Sequence, residues 1–199
     1  MDISANTMLE HGCTIRPCRG ESVSGDTVVT RSLDEGIFVA IVDVLGHGPE
    51  AHELTHIIDN YLSRYGCWEV TRVITQLHQH LKGTRGAAVG MCAINTSTGR
   101  LDYAGIGNTS IRRFGVTETR LVSHDGVLGQ NMRTPLPQSL QLAADDLVVL
   151  YTDGISDRFT FDQYPGIAHH PPTEIANNIV QRFGKDHDDA ACIAVRYHT

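Results

Sequence analysis

The feature that most constrains the fold is the grouping of apolar segments into adjacent pairs, each pair separated by a short turn signal. Residues 26–43 hold one pair on either side of "LDEG", and residues 86–107 hold another on either side of "TSTG". Turns this short join antiparallel strands, whereas parallel strands need a long crossover that is usually a helix. The chain is therefore predicted to form antiparallel sheets rather than alternating strands and helices.

The rest of the chain adds further strands and a small number of helices. Four more segments have the apolar character and turn boundaries of strands, at 109–115, 117–124, 145–154 and 188–198. Three segments are predicted helices, at 49–65, 69–81 and 171–184. The second helix has an apolar face with 3.6-residue spacing, made of Val70, Val73, Ile74, Leu77 and Leu81. We predict an α+β fold in which two sheets pack face to face and are covered by helices.

Length and composition limit the kinds of protein that the chain can be. A chain of 199 residues with 41% hydrophobic and 20% charged residues is expected to form one domain, residues 1–199, with an ordinary globular core. A formal charge of −7 argues against a nucleic-acid binder, since such proteins normally present a basic face.

The cysteines and the N-terminus indicate the compartment. The five cysteines are odd in number, widely scattered and without a C-x-x-C pair, so they fit no disulfide framework. The first residues, "MDISANTMLEHG", resemble no signal peptide, and no segment is long and apolar enough for a membrane span. We expect a cytoplasmic protein that is a monomer.

One short motif suggests a zinc peptidase. His52, Glu53 and His56 match the H-E-x-x-H pattern. A helical projection places both histidines nearly opposite an apolar face made of Leu54, Ile57, Ile58, Tyr61 and Leu62. The motif also lacks a third zinc ligand, for which Glu69 is an unsupported candidate. We interpret the histidines as surface residues and keep the peptidase as the alternative.

Acidic residues at strand ends suggest different chemistry. Asp26 begins a predicted strand, Asp43 and Asp153 each end one, and the pair Asp188–Asp189 opens the last. Because each adjoins a strongly apolar run, neighbouring strands can bring all of them into one cluster. Single aspartates at strand ends are ordinary turn residues, but the repetition favours a shared site.

Clustered carboxylates repel one another unless a cation lies between them. Oxygen ligands without cysteine favour Mg²⁺ or Mn²⁺ over zinc. Two such ions can bind a phosphate, activate a water and stabilise the leaving oxygen. The glycines after Asp43 also leave backbone carbonyls free to act as ligands. The pattern therefore predicts a two-metal site suited to phosphomonoester hydrolysis.

The order of these motifs resembles a known family. "SGD", "DVLGHG", "YTDG" and a final "DDxxxxxV" occur as they do in the metal-dependent protein serine/threonine phosphatases of the protein phosphatase 2C-like (PPM) class. The SpoIIE/RsbU/RsbX branch is most similar. Residues 82–115 resemble the central strands of its RsbX-type members, which act in the bacterial stressosome. The resemblance covers nearly the whole chain and implies an αββα sandwich of two mainly antiparallel sheets flanked by helices.

The resemblance also implies roles for individual residues. Asp43 would bridge two ions, Mn²⁺ or Mg²⁺, and the carbonyl of Val44 would complete one of them. Asp26, Asp153 and Asp188, with Asp189 as an alternative to the last, would hold the second ion. A metal-bridging water would attack phosphorus directly, and Asp43 and Asp153 are the expected catalytic residues.

The substrates implied are phosphoserine and phosphothreonine on stressosome scaffold proteins like RsbR and RsbS. Arg16 and Arg19 are candidates for binding the phosphate, and His47 is either a proton donor or, more in keeping with its "GHG" context, a loop residue. A catalytically silent binding module of the same fold remains the second alternative. The intact acidic set speaks against it, because a silent protein has no need of a repulsive cluster.

Overall fold

The computed structural model describes residues 9–161, 164 and 166–198. Within these residues the three helices are α1 (Pro49–Tyr65), α2 (Val70–His80) and α3 (Pro172–Phe183). The ten strands, in chain order, are β1 (Leu9–Arg16), β2 (Asp26–Leu33), β3 (Gly36–Val44), β4 (Ala87–Asn95), β5 (Arg100–Ile106), β6 (Ser110–Phe114), β7 (Thr119–Leu121), β8 (Gln138–Gln141), β9 (Leu147–Tyr151) and β10 (Ala190–Tyr197). A short 3-10 helix, Ile167–His169, precedes α3.

The strands form two five-stranded sheets, and within each sheet every pair of neighbouring strands is antiparallel. The first sheet has the order β1-β10-β9-β6-β7, and the second has the order β2-β3-β4-β5-β8. β2 and β3 join through a two-residue turn in which Glu35 has a φ of 61°. The predicted hairpins at residues 26–43 and 86–107 are both present.

The elements stack in the order helix, sheet, sheet, helices, and an apolar layer fills each of the three interfaces between them. α3 packs on the outer face of the first sheet through residues that include Ile175 and Ile179. α1 and α2 cover the outer face of the second sheet, where Ile58, Leu62, Ile74 and Leu77 are fully buried. The third layer lies between the sheets. The predicted sandwich is confirmed.

The inter-sheet layer follows from strict alternation along the strands. In β3, Ile37, Val39 and Ile41 pack between the sheets, while Phe38, Ala40 and Val42 pack against the helices. Both sets are buried, so the segment reads as a continuous apolar run. In an extended strand, successive side chains point to opposite faces. Any residue that continues one of these series at the strand end must point into the same layer.

Two elements and one helix face differ from the sequence prediction. β1 and β8 were not predicted; β1 is an edge strand in which only Leu9 and Gly12 are buried. In α1 the buried face is Ala51, Leu54, Thr55, Ile58 and Leu62, whereas Ile57 is 49% exposed. Thr55 is buried and its hydroxyl donates to the carbonyl of Gly25 (2.8 Å), so the buried face includes Thr55 in place of Ile57. The predicted apolar face of α2 is buried throughout.

No helix in the described part of the chain combines the length and the hydropathy that crossing a bilayer requires. All five cysteines are free thiols.

Candidate metal centre

The predicted aspartates meet at one edge of the sandwich. Asp26 is the first residue of β2 and lies directly opposite Asp43 of β3 in the strand ladder. Asp153 lies two residues beyond the end of β9, and Asp188 and Asp189 come immediately before β10. Because β9 and β10 are neighbours in the other sheet, each sheet contributes its own acidic residues to the site.

Alternation explains why three of these carboxylates lie between the sheets. Asp43 continues the series of Ile37, Val39 and Ile41, which faces the opposite sheet. Asp189 continues the series of Ala191 and Ile193 in the same way, and Asp26 lies two residues before Val28, on the same face of its strand. The site is therefore the mouth of the inter-sheet layer. Asp26 and Asp189 are each only 4% exposed.

The mouth contains a pocket of about 220 Å³. Its lining consists of Asp26, Asp43, Leu45, Gly46, Asn108, Asp153, Asp188 and Asp189. All five aspartates expected from the sequence therefore border one cavity. Val44 is buried beside it, and its N–H donates to the carbonyl of Gly25 (3.2 Å); the pocket wall itself is made by the next two residues. The role of the Val44 carbonyl stays a prediction.

Three hydrogen bonds link the segments that meet at this mouth. The oxygens of Asp189 accept hydrogen bonds from the backbone N–H groups of Cys18 and Gly25, each at 2.7 Å. The hydroxyl of Thr152, which follows β9, donates to Asp26 Oδ2 across the layer (2.7 Å). Asp189 thus has a structural task, because both of its oxygens hold the segment that leads into β2.

The electrostatics of the site strongly disfavour leaving all carboxylates ionised. Burial and the neighbouring charge of Asp43 raise the pKa of Asp26 well above its usual value. Burial and the charges of Asp153 and Asp188 raise the pKa of Asp43 to about 7. The pKa of Asp188 is raised for the same two kinds of reason, with Asp153 the main charged neighbour. Without a cation, the ionised carboxylates of the cluster repel one another.

Asn108 is a site residue that the sequence analysis did not identify. Gly107 and Asn108 form the bend after β5, with a φ of 94° at Gly107. The side-chain amide of Asn108 also donates to Asp153 Oδ2 at 2.6 Å and lines the pocket. Nothing in the local sequence marks this contact, since the two residues are 45 positions apart.

The loop after β3 is held by an arginine that lies two residues before β4. Arg85 Nη1 donates to the carbonyl of Leu45 (3.0 Å), and its other amino group pairs with Glu50 of α1. Leu45 also donates its own N–H to the carbonyl of Gly86 (3.1 Å). These contacts fix the loop that forms one wall of the acidic pocket.

The histidines of the peptidase-like motif are placed differently from a zinc site. His52 Nδ1 lies 2.9 Å from the carbonyl oxygen of Ser24, and its ring contacts that of His56 with centroids 4.3 Å apart. His56 and Glu53 are exposed, while His52 is partly buried rather than fully on the surface. The described residues provide no third ligand that would complete a set with this pair.

The other candidate residues lie around the pocket rather than in it. His47 Nδ1 is 3.0 Å from Glu21 Oε1 in the loop before α1. Arg16 donates to the carbonyl of Lys185 (2.6 Å) and lies 3.4 Å from Asp186, and Arg19 is exposed. Neither arginine is among the described residues that line the acidic cavity.

The donors around the acidic cavity suit divalent cations. Among the described residues, no group of three His, Cys, Asp or Glu side chains is already drawn together as a closed ligand set. The donors are all oxygens, which suits Mg²⁺ or Mn²⁺. The cavity of about 220 Å³ can hold two ions and several waters, since a water occupies about 30 Å³.

Comparison with known proteins gives a family match over most of the chain. The family model described as stage II sporulation protein E (SpoIIE) matches residues 34–198. No curated protein matches the chain in sequence.

Several solved structures have the same fold. One, described as "The bacterial stressosome: a modular system that has been adapted to control secondary messenger signaling", is 26% identical with a TM-score of 0.87, covering 94% of this chain and 99% of that one. RsbX in complex with magnesium is 20% identical with a TM-score of 0.82, covering 98% of each chain. The PP2C phosphatase domain of SpoIIE from Bacillus subtilis, with a fragment of its regulatory domain, is 21% identical with a TM-score of 0.73, covering 94% of this chain and 63% of that one.

Proposed function

The chain belongs to the SpoIIE family of PP2C-like phosphoprotein phosphatases, and we propose that it hydrolyses phosphoserine and phosphothreonine with two bound divalent cations. The whole chain, residues 1–199, would form a single phosphatase domain. One observation carries the proposal: five aspartates from the ends of four strands border one cavity between the two sheets.

Four aspartates are assigned as metal ligands in this proposal. Asp43 lies between its cross-strand neighbour Asp26 and the residues of the other sheet, so it is the natural bridging ligand. Asp153 and Asp188 approach from the other sheet. Asp188 is preferred to Asp189, because both oxygens of Asp189 already accept backbone hydrogen bonds. The Val44 carbonyl is retained as a further ligand.

The chain's own residues would hold and orient this ligand set. Thr152 fixes one oxygen of Asp26 through a hydrogen bond of 2.7 Å, and Asn108 fixes one oxygen of Asp153 at 2.6 Å. When bound, the ions would supply an activated water and neutralise charge on the phosphate. The limited volume of the cavity suits a phosphoryl group on an extended side chain. Mn²⁺ and Mg²⁺ are both compatible with this all-oxygen ligand set.

The proposed substrates are phosphorylated scaffold proteins of a stressosome, of the RsbR and RsbS kind, in the cytoplasm. The likeness to a structure described with the bacterial stressosome, and to RsbX, supports this substrate class. A monomeric enzyme would reach such substrates through the surface around the acidic cavity.

The direct test is hydrolysis of a phosphoserine peptide with Mn²⁺, repeated with chelator and with Asp43→Ala or Asp153→Ala. We expect turnover that needs the metal and falls by at least about 1000-fold in either variant, as expected when part of a catalytic unit is removed. Turnover that survives both the chelator and the substitutions would refute the mechanism.

Two variants separate this function from its alternatives. His52→Ala and His56→Ala should leave phosphatase activity intact, whereas a zinc peptidase would lose its activity in both. A silent binding module would show no metal-dependent phosphate release from any phosphopeptide while still folding normally.

A further inference from the structure

A second cavity opens beside the acidic one and shares a wall with it. It measures about 200 Å³ and is lined by Asn108, Ser110, Tyr151, Asp153, Ile155, Asp157 and Lys185. Asn108 and Asp153, which are hydrogen-bonded to each other, border both cavities, so the two cavities adjoin at this pair and are together called the cleft. The acidic site described above occupies only the half formed by the strand ends.

Lys185 is the only positively charged side chain among the described residues that line this cleft. Its position matters because six aspartates line the same two cavities. The ammonium nitrogen of Lys185 lies 2.5 Å from the carbonyl oxygen of Asp153, which places its charge beside the acidic cluster. A phosphate monoester, itself an anion, would meet strong repulsion here and needs every available cation.

The position of Lys185 is fixed by its own backbone. Its N–H donates to the carbonyl of Gly154 (2.8 Å), and its carbonyl accepts a hydrogen bond from Arg16 Nη2 (2.6 Å). The neighbouring bridge between Ile155 and Gly184 joins the end of α3 to the turn that contains Asp153. The backbone of Lys185 is therefore held directly against the turn that contains Asp153.

The ammonium group of Lys185 has donors to spare. Nζ donates to the backbone carbonyl of Asp153 at 2.5 Å, which anchors the side chain at the cleft. A lysine ammonium has three N–H donors, and no carboxylate in the described residues forms an ion pair with it. Two donors and a full charge thus remain for a ligand.

We propose that Lys185 binds the phosphoryl group of the substrate, with the second cavity as the space in which the phosphate and the adjoining substrate atoms lie. This inference rests on the proposed function. In this inference Lys185 takes the phosphate-binding role for which Arg16 and Arg19 were candidates. Arg16 instead donates a hydrogen bond to the backbone carbonyl of Lys185. Asn108 and Ser110, which line the same cavity, add polar groups that suit phosphate oxygens.

The chain offers an ideal control, since it contains one other lysine. Lys82 is exposed and donates to the carbonyl of Gln130 (3.2 Å), away from the cleft. The test compares Lys185→Met, Lys185→Arg and Lys82→Met in the Mn²⁺-loaded protein. Two quantities are measured: the dissociation constant of inorganic phosphate from thermal shift, and kcat and KM for a phosphoserine peptide.

We expect Lys185→Met to weaken phosphate binding and to lower kcat/KM by about 10- to 100-fold, as expected for loss of a hydrogen bond from a charged donor. Lys185→Arg should recover most of the loss, and Lys82→Met should match the wild type. Mn²⁺ affinity, measured separately by calorimetry, should not fall in Lys185→Met, because removing a nearby positive charge cannot weaken cation binding electrostatically.

Distinct outcomes separate the possible failures. If Lys185→Met binds phosphate and turns over peptide like the wild type, the inference is wrong while the proposed function stands. A loss in both Lys185→Met and Lys185→Arg that coincides with a lower Mn²⁺ affinity would overturn it in favour of a purely structural lysine. Wild-type protein that neither binds phosphate nor releases it would overturn the proposed function, and this inference with it. Should Lys185→Met fail to fold, Lys185→Gln keeps a donor for the Asp153 carbonyl and carries the same test.

Discussion

Replacing Asp43 with asparagine should make the metal-free protein more stable while abolishing its activity. Asp43 is repelled by three other carboxylates of the acidic cluster, with Asp153 and Asp188 foremost and Asp189 third. Asparagine has nearly the same shape and no charge. It can also donate a hydrogen bond to Asp153, which the ionised aspartate cannot do.

The magnitude follows from the pKa of Asp43, which rises from 3.8 to about 7 on folding. Since one pKa unit corresponds to about 1.4 kcal/mol, the ionised carboxylate destabilises the metal-free fold by up to about 4 kcal/mol at pH 8. Because the folded-state pKa is raised, this cost is complete above pH 7 and shrinks as the pH falls. It is about 2 kcal/mol at pH 5 and disappears below about pH 4, where the carboxyl is protonated in both states.

The assay is thermal unfolding in chelator at pH 8 and at pH 5. For a chain of this size, 1 kcal/mol changes Tm by about 2–4 °C, so Asp43→Asn should raise Tm at pH 8 by up to about 8–16 °C and by clearly less at pH 5. With saturating Mn²⁺ the order should reverse, because only the wild type gains the full binding energy.

Asp102 provides the matched control. Its hydrogen bonds from Arg100 lower its pKa, so ionisation is favourable there and Asp102→Asn should destabilise slightly at pH 8. If Asp43→Asn is no more stable than the wild type in chelator at pH 8, the electrostatic account of the site is wrong.

Three further predictions concern the same site. Mn²⁺ at 100 times its dissociation constant should stabilise the wild type by about 2.7 kcal/mol in thermal unfolding, and chelator should reverse the gain; no metal-dependent change would contradict a metal site. Thr152→Val should lower the free energy of unfolding, measured with denaturant, by about 2 kcal/mol, because Asp26 and a backbone N–H lose their buried partner. The exposed control Thr75→Val should be nearly neutral, and equal effects of the two substitutions would contradict the structural role of Thr152. Gly25→Ala should lower kcat/KM, because its Cβ would lie 2.9 Å from the carbonyl oxygen of Gly46 in the pocket wall; unchanged kinetics would mean that this loop tolerates movement.

The sheets and most of the acidic site could be predicted because their signals are local. Paired apolar runs separated by short turns predicted the hairpins. An aspartate beside such a run must lie at the end of a strand. Even the distinct role of Asp189 follows the alternation of Ala191 and Ile193, since that series points between the sheets.

The features that sequence reasoning missed depend on partners far away in the chain. β1 pairs with β10 across more than 170 residues, and as an edge strand it has no regular apolar alternation to reveal it. Asn108 resembles an ordinary turn residue until folding brings Asp153 within 2.6 Å. The buried face of α1 includes Thr55, whose hydroxyl donates to the carbonyl of Gly25, and a projection by hydrophobicity does not register that contact.

The division of the acidic residues between two sheets links core composition to catalysis. Asp26 and Asp43 belong to the second sheet, and Asp153 and Asp188 to the first. The distance between the two backbones that their side chains must span is therefore the spacing of the stacked sheets, about 10 Å. Side chains such as Cys92 and Tyr103, fully buried in the layer between the sheets, set this spacing. A change in the volume of either side chain would therefore alter the spacing between the two halves of the proposed ligand set.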